Sequence, residues 1–447
     1  MAVYTIPRKY VVLGGLLLIT LGFYSTSDES SAKRYIWEAY HKGFRSSSSR
    51  DDVFKSSPVD SQPIRDICSE TNWNQSLIFT CNSNHGGVGN VRNSILNCVR
   101  YTIGAGGSLV LPQILEREIT NGMGDGHETP VERNGPKLHE LDYMFDVNHF
   151  SDSLRKSCPE LILIRKMSDA MIGDRRKSLL PETLFPNIPT SGIEHPEEWP
   201  QRFNNWLEKN LEPASISEKN PFVIDLEPSF LHYPTHSDGH AVAHVFGNIL
   251  QFRSDIRELA TTALGTLVDW YEFPVNITRH GLLKPSFLGA HLETQNPFLE
   301  QRHELDIEYS HFEAQSRAYL DISSELQLPI IYAASGNPKD IENLNRDAER
   351  LDVAVTHKED LLDDDDLIKL RKLTYDQRSL VDYLILEKAE AFVGVGHSPF
   401  SWNIALAREQ IGAVMDGVLD GDIWKDGMNT LFGVRPDYVE SSACMWS

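Results

Sequence analysis

Residues 81–92 read Cys-Asn-Ser-Asn-His-Gly-Gly-Val-Gly-Asn-Val-Arg, and the glycines at 86, 87 and 89 are the first residues whose type and spacing suggest chemistry. Without a Cβ the backbone can bend sharply and come close to a ligand. An apolar run at 76–80 precedes the loop as a short buried strand, and a segment of helical period follows it. Free N–H groups at such a helix start face an anion, so the chemistry would be phosphate binding at the loop of Gly86, Gly87 and Gly89. The loop lacks the third glycine of the dinucleotide fingerprint and the Gly-Lys-Ser/Thr ending of a P-loop. Taken alone, it is as readily a tight turn.

These residues need a scaffold, and the following segment supplies one. Val91, Ile95, Leu96, Val99 and Ile103 form an apolar stripe of helical spacing, and Ser108-Leu109-Val110-Leu111 is a second strand ended by Pro112. Together they make a βαβ unit. An alternating segment at 145–150 leads into an amphipathic helix, and further strands are expected at 161–164 and 222–226, then at 287–292, 329–334, 352–356 and 391–396. Helices are expected at 199–211, 241–267, about 303–326, 376–389 and 400–409. The glycine- and charge-rich segment 122–135 reads as a mobile loop, and 181–200, with its prolines, as a connection. Alternating strands and helices are the pattern of parallel sheets covered on both faces. Two such halves, divided near Pro274, predict a ligand site between them at the carboxyl ends of the strands.

The chain has 447 residues, too many for one ordinary core. It carries 42 Lys plus Arg against 64 Asp plus Glu, a formal charge of -22. Such acidity argues against nucleic-acid binding, which needs a basic surface. The five cysteines are an odd number, so at least one is unpaired if the others pair; Cys68 and Cys81 flank the first strand and could bridge. Asn74-Gln75-Ser76 and Asn276-Ile277-Thr278 are glycosylation acceptors if the chain is lumenal. Arg8-Lys9 precede an uncharged run from Tyr10 to Tyr24, with Asp28-Glu29 beyond it. That is the pattern of a signal anchor with a cytosolic N-terminus; a cleaved signal peptide is the rival. Residues 1–27 are thus expected as tail and anchor, the polar 28–65 as a stem, 66–274 and 275–447 as two Rossmann-like domains.

Three segments then coincide with one family. The loop His85-Gly86-Gly87-Val88-Gly89-Asn90-Val91-Arg92, the strand end Gly289-Ala290-His291-Leu292, and Val381-Asp382-Tyr383 leading to Phe392-Val393-Gly394-Val395-Gly396-His397-Ser398-Pro399-Phe400-Ser401 resemble the three motifs of the GDP-fucose protein O-fucosyltransferases, in the form of fungal O-fucosyltransferase-like proteins. The resemblance covers roughly residues 76–410. It implies an α/β, GT-B-like fold of two Rossmann-like domains facing a shared cleft, in a type II membrane protein of the Golgi or endoplasmic reticulum. It also implies inverting transfer of fucose from GDP-fucose to a protein or glycan hydroxyl, with no metal cofactor. Gly89 and Asn90 would lie beside the pyrophosphate, His291 and Asp382 would hold the ribose and guanine end, and Ser398 with Phe400 would line the β-phosphate. The family's second motif ends in an arginine that clamps the β-phosphate, and Glu293 stands in its place. Gly87 stands where members carry a charged residue.

Each of these residues also has a purely structural reading. Arg92 can supply a cation or sit on its helix surface. His291 can be a satisfied core histidine, Asp382 the solvent side of a helix, and Ser398 to Ser401 a helix cap with a Phe anchor. Arg302 and His303 could replace the missing arginine or form a solvated face. The run Asp363 to Asp366 reads as a solvated polar loop, not a metal site. No metal or nucleophile cluster is readable in the sequence. Two other functions stay open: a non-catalytic relative that keeps the fold, for which Glu293 and Gly87 speak, and a Rossmann oxidoreductase, which the missing third glycine disfavours.

Overall fold

The structure is a computed structural model that describes residues 50–117, 137–169, 175–211, 216–217, 220–294, 309–416 and 422–447. The expected anchor at 10–24, the loop at 122–135 and the pair Arg302 and His303 lie outside the described residues. No helix among the described residues is long and apolar enough to cross a membrane.

Two five-stranded parallel sheets organise the chain. The first half contributes β1 (Leu77–Thr80), β2 (Ser108–Val110), β5 (Leu163–Ile164), β6 (Arg176–Leu179) and β7 (Phe222–Leu226), in the order β5-β2-β1-β7-β6. The second half contributes β8 (Leu288–Leu292), β9 (Ile330–Ser335), β10 (Ala354–Thr356), β11 (Ala391–Val395) and β12 (Asn429–Phe432), in the order β10-β9-β8-β11-β12. A short antiparallel pair, β3 (Ile114–Leu115) with β4 (Leu138–His139), stands apart. The central strands β1, β8 and β11 are buried at every position. Their near-continuous apolar runs are what a parallel strand covered on both faces requires.

Some elements differ from expectation. β6 is an edge strand with three of its four residues exposed, tied to β7 by Arg176 to Asp225 at 2.7 Å and by Ser178 to Glu227 at 2.7 Å. An edge strand has only one covered neighbour, so it shows no apolar signature. The helix expected after the alternating segment 145–150 begins within it, as helix Val147–Ser157 capped by the Asp146 carboxylate. The single helix expected over 241–267 is two, His240–Phe246 and Ser254–Trp270. The chain breaks between them because Gln251 O accepts from Asp146 N at 2.7 Å and Phe252 bridges to Phe145. Asp363 to Asp366 is not a loop: Asp363 caps helix Asp364–Lys372, and the acidic first turn suits the positive end of its dipole.

The end of the expected stem, 50–65, lies on the first half. Phe54 is buried, Val59 N donates to Ser153 Oγ at 2.9 Å, and helix Gln62–Glu70 is tied to Cys158 through Cys68. The chain's last residues do likewise. Trp446 is fully buried beside helix Val88–Ala105, donating from Nε1 to Asn97 Oδ1 at 2.7 Å and from its backbone N to Asn93 Oδ1 at 2.9 Å. That covering explains why this helix buries Asn93 and Asn97 as well as its apolar stripe.

Candidate functional site

In the second sheet the chain runs outward from β8 through β9 to β10, then returns to the other side of β8 with β11 and β12. The direction reverses between β8 and β11, where the crevice beyond the strand ends is the usual ligand position. His291, Glu293 and His397 meet there. His291, at 7% exposure, shares a hydrogen bond between Nδ1 and Ser401 Oγ at 2.9 Å, and its ring lies 4.7 Å from that of Phe400. Its Nε2 is 3.9 Å from Glu293 Oε2. Burial, then the neighbouring His397, pushes the His291 pKa down to about 3, so the ring is neutral. His397 is likewise pushed down to about 4 by burial, against the opposing effect of a hydrogen bond with the Glu293 backbone.

Glu293 is held by its backbone. Its N–H donates to Gln315 Oε1 at 3.0 Å and its carbonyl accepts from Gln315 Nε2 at 2.9 Å. Withdrawal from water pushes the carboxyl up to about 7 against the opposing pull of Arg117. A carboxyl that titrates near neutrality can take up a proton at working pH.

The glycine loop meets this crevice from the first half. Gly86 has φ +102, which excludes most side chains, and Gly87 precedes helix Val88–Ala105 with no side chain capping its first turn. A Cβ on Gly89 would lie 2.8 Å from Asn403 Nδ2 and 2.9 Å from the Pro399 carbonyl. Gly89 therefore lets the first turn of one helix touch the first turn of the other, Pro399–Asp416. Two positive helix ends, one from each half, converge on one place. Asn90 sits in the same turn as Gly89, half-buried, with its amide against Gly86.

Several expected roles are taken up structurally. Arg92 is a buried cation that donates to the carbonyls of Trp446 and Ser447, so it anchors the chain's last residues rather than serving a ligand. Both oxygens of Asp382 are occupied, by Tyr332 Oη at 2.7 Å and by Lys358 Nζ at 2.7 Å, in a pocket that leaves Asp382 4% exposed. It is a buried ion pair and not the solvent side of its helix. The Ser398 Oγ accepts from Ser401 N at 3.4 Å as the cap of its helix. Phe400 packs between His291 and Tyr383. His291, Glu293, Phe400 and the glycine loop thus remain at the crevice.

One crevice residue carries no motif. Arg117, two residues past β3, donates from Nε at 3.0 Å and Nη2 at 2.5 Å to Asp376 Oδ1, and lies over the Tyr375 ring at 5.2 Å. Its Nη2 is 3.9 Å from where a Gly87 Cβ would stand. An isolated arginine outside any motif gives no sequence signal.

The cysteines pair as Cys68 with Cys158 and Cys81 with Cys98, leaving Cys444 buried and free. The bridge considered between Cys68 and Cys81 is therefore replaced by one that ties helix Gln62–Glu70 to the end of helix Val147–Ser157. The one metal-spaced group among the described residues, Cys68, Cys158 and Glu160, contains that disulfide. A separate open cleft of about 1190 Å³ lies beside the ends of β2 and β5 and reaches Thr374 and Gln377.

Comparison with known proteins follows the same outline. Among solved structures the chain is similar to POFUT1 in complex with GDP-fucose, at 15% identity and TM-score 0.47 over 82% of this chain and 99% of that one. It is similar to POFUT1 in complex with GDP, at 15% identity and TM-score 0.45 over 76% and 96%. It is also similar to the fucosyltransferase NodZ from Bradyrhizobium, at 11% identity and TM-score 0.37 over 75% and 93%. No curated protein matches the chain. The family model described as GDP-fucose protein O-fucosyltransferase matches residues 77–410, most of the chain, and the chain belongs to that family.

Proposed function

We propose that the protein is a GT-B glycosyltransferase that binds GDP-fucose in the crevice between its halves and transfers fucose, with inversion, to a hydroxyl of a protein or glycan. The observation that carries this reading is the contact of two helix starts at Gly89 and Pro399, within the range the family matches. Amide groups fixed there stabilise a departing diphosphate without reorganising. The bond from the fucose anomeric carbon to the β-phosphate oxygen breaks as the bond to the acceptor oxygen forms. The acceptor proton leaves to solvent, and GDP departs as its anion.

A lumenal address in the Golgi or endoplasmic reticulum, reached through the N-terminal anchor, is part of the proposal. Two disulfides and the exposure of Asn74 and Asn276 support it, because disulfides persist in oxidising compartments. A second reading, a non-catalytic relative, is favoured by a carboxylate at Glu293 where members hold an arginine.

The test is thermal unfolding of the purified protein with GDP or GDP-fucose, followed by an assay for GDP release with acceptor. Ligand that binds only the native state raises the melting temperature, by about 2.7 kcal/mol of stability at a hundredfold excess over Kd. A shift with transfer supports the enzyme, and a shift without transfer supports the non-catalytic relative. No shift at millimolar nucleotide overturns the donor reading.

A further inference from the structure

We infer that Arg117, supplied by the first half of the chain, is the cation that binds the donor's β-phosphate, opposite a position, Glu293, that bears the contrary charge. The inference rests on the donor reading above.

The position is set by an absence. Gly87 has no side chain, and the Arg117 guanidinium fills the space beside it, 3.9 Å from the missing Cβ. That space borders the uncapped first turn of helix Val88–Ala105, where N–H groups and dipole already favour an anion. The orientation is set from behind. Asp376, itself 3% exposed, takes Nε and Nη2, and the Tyr375 ring lies against the guanidinium plane at 5.2 Å. Nη1 has no hydrogen-bond partner among the described residues, and the side chain is 39% exposed. A guanidinium fixed along one edge and open along the other is prepared to meet phosphate oxygens.

The charge count sets the condition under which an anion can bind. Arg117 faces Asp376 and Glu293, each of which acts on its titration. With Glu293 ionised, the group holds two carboxylates and one cation. Its net charge is then −1, and protonation of Glu293 brings it only to zero, so attraction for an anion comes from the open edge of the Arg117 guanidinium and not from the summed charge. Tyr375 and Asp376 open helix Tyr375–Lys388 of the second half. The Arg117 pair therefore crosses the crevice, joining the wall that carries Glu293 to the wall that carries the glycine loop.

A purely structural clasp would make the same contacts, so the test must separate phosphate binding from folding. Affinities of GDP, GMP and guanosine for the wild-type protein, Arg117→Gln and Arg117→Lys are compared by calorimetry. The inference expects wild type to prefer GDP over GMP. It expects Arg117→Gln to lose roughly ten- to hundredfold in GDP affinity, as for a deleted charge-assisted bond, with GMP and guanosine little changed. Arg117→Lys, which keeps the charge without the fork, should retain part of the GDP preference and covers the case in which Arg117→Gln fails to fold. Equal losses for GDP and GMP, or an unchanged GDP preference in either variant, overturn the role of Arg117. Wild type binding none of the three removes the donor reading itself, a different and recognisable failure.

Discussion

Glu293→Gln isolates the charge that most distinguishes this crevice. In the empty site the Glu293 carboxyl titrates at about 7. A diphosphate charge at roughly 7 Å, with an effective dielectric near 20, repels the carboxylate by about 2.4 kcal/mol, which lifts its pKa by a further ~1.7 units. The resulting linkage makes wild-type GDP affinity lower than that of Glu293→Gln by about twofold at pH 7, about ninefold at pH 8 and about thirtyfold at pH 9, with near equality at pH 6. Calorimetric titration of both proteins across this range gives the ratio directly, and the ratio cancels the ionisation of GDP itself. Stability carries the same sign. A carboxyl raised from 4.5 to about 7 leaves folding unhindered below 4.5 and opposes it progressively as pH rises to about 7. The variant is therefore the more stable protein at pH 8, by at most about 3 kcal/mol, and equally stable at pH 4. His291 and His397, depressed to about 3 and about 4, act oppositely, losing stability as pH falls below 6.5, and do so in both proteins. An affinity ratio that stays constant from pH 6 to pH 9 would show that no carboxylate of this pKa faces the nucleotide.

Gly89→Ala sets a methyl 2.8 Å from Asn403 Nδ2 and 2.9 Å from the Pro399 carbonyl, closer than real Cβ contacts come, so the two helix starts must separate. The expected cost is about 1–3 kcal/mol by denaturant midpoint, together with weaker GDP binding; wild-type values for both would refute the close approach. Replacing Cys68 and Cys158 together by Ala opens a link across 90 residues and should cost about 2–5 kcal/mol. A midpoint that does not move would mean that the two thiols are unbonded in the protein as purified.

The scaffold was legible where burial is two-sided. β1, β8 and β11 are fully buried, and their near-continuous apolar runs announce them. β6 was silent because an exposed edge strand can be Arg-Lys-Ser and still pair through its backbone. Helix period showed which face of Val88–Ala105 is apolar, but not that Trp446 returns from the far end of the chain to cover its other side. For that reason helix period left Arg92 open between supplying a cation and sitting on the helix surface. Asp382 was misplaced for the same reason: Tyr332 and Lys358, 50 and 24 residues away, are invisible to local spacing.

Charge at the crevice was the least legible property, and the cause is geometric. A motif describes one segment, whereas the field at a strand-end crevice is the sum over every element that ends there. Read along the second half alone, Glu293 turns a cationic position into an anionic one. In space, Arg117, paired with Asp376 259 residues away in sequence, acts on Glu293 from the side of the glycine loop. The cation is thus absent from the segment in which family motifs would place it and present on the opposite wall. A motif with a reversed charge therefore does not by itself mark a dead site. What decides is the charge facing the two helix starts, which depends on the open edge of the Arg117 guanidinium and on the protonation of Glu293.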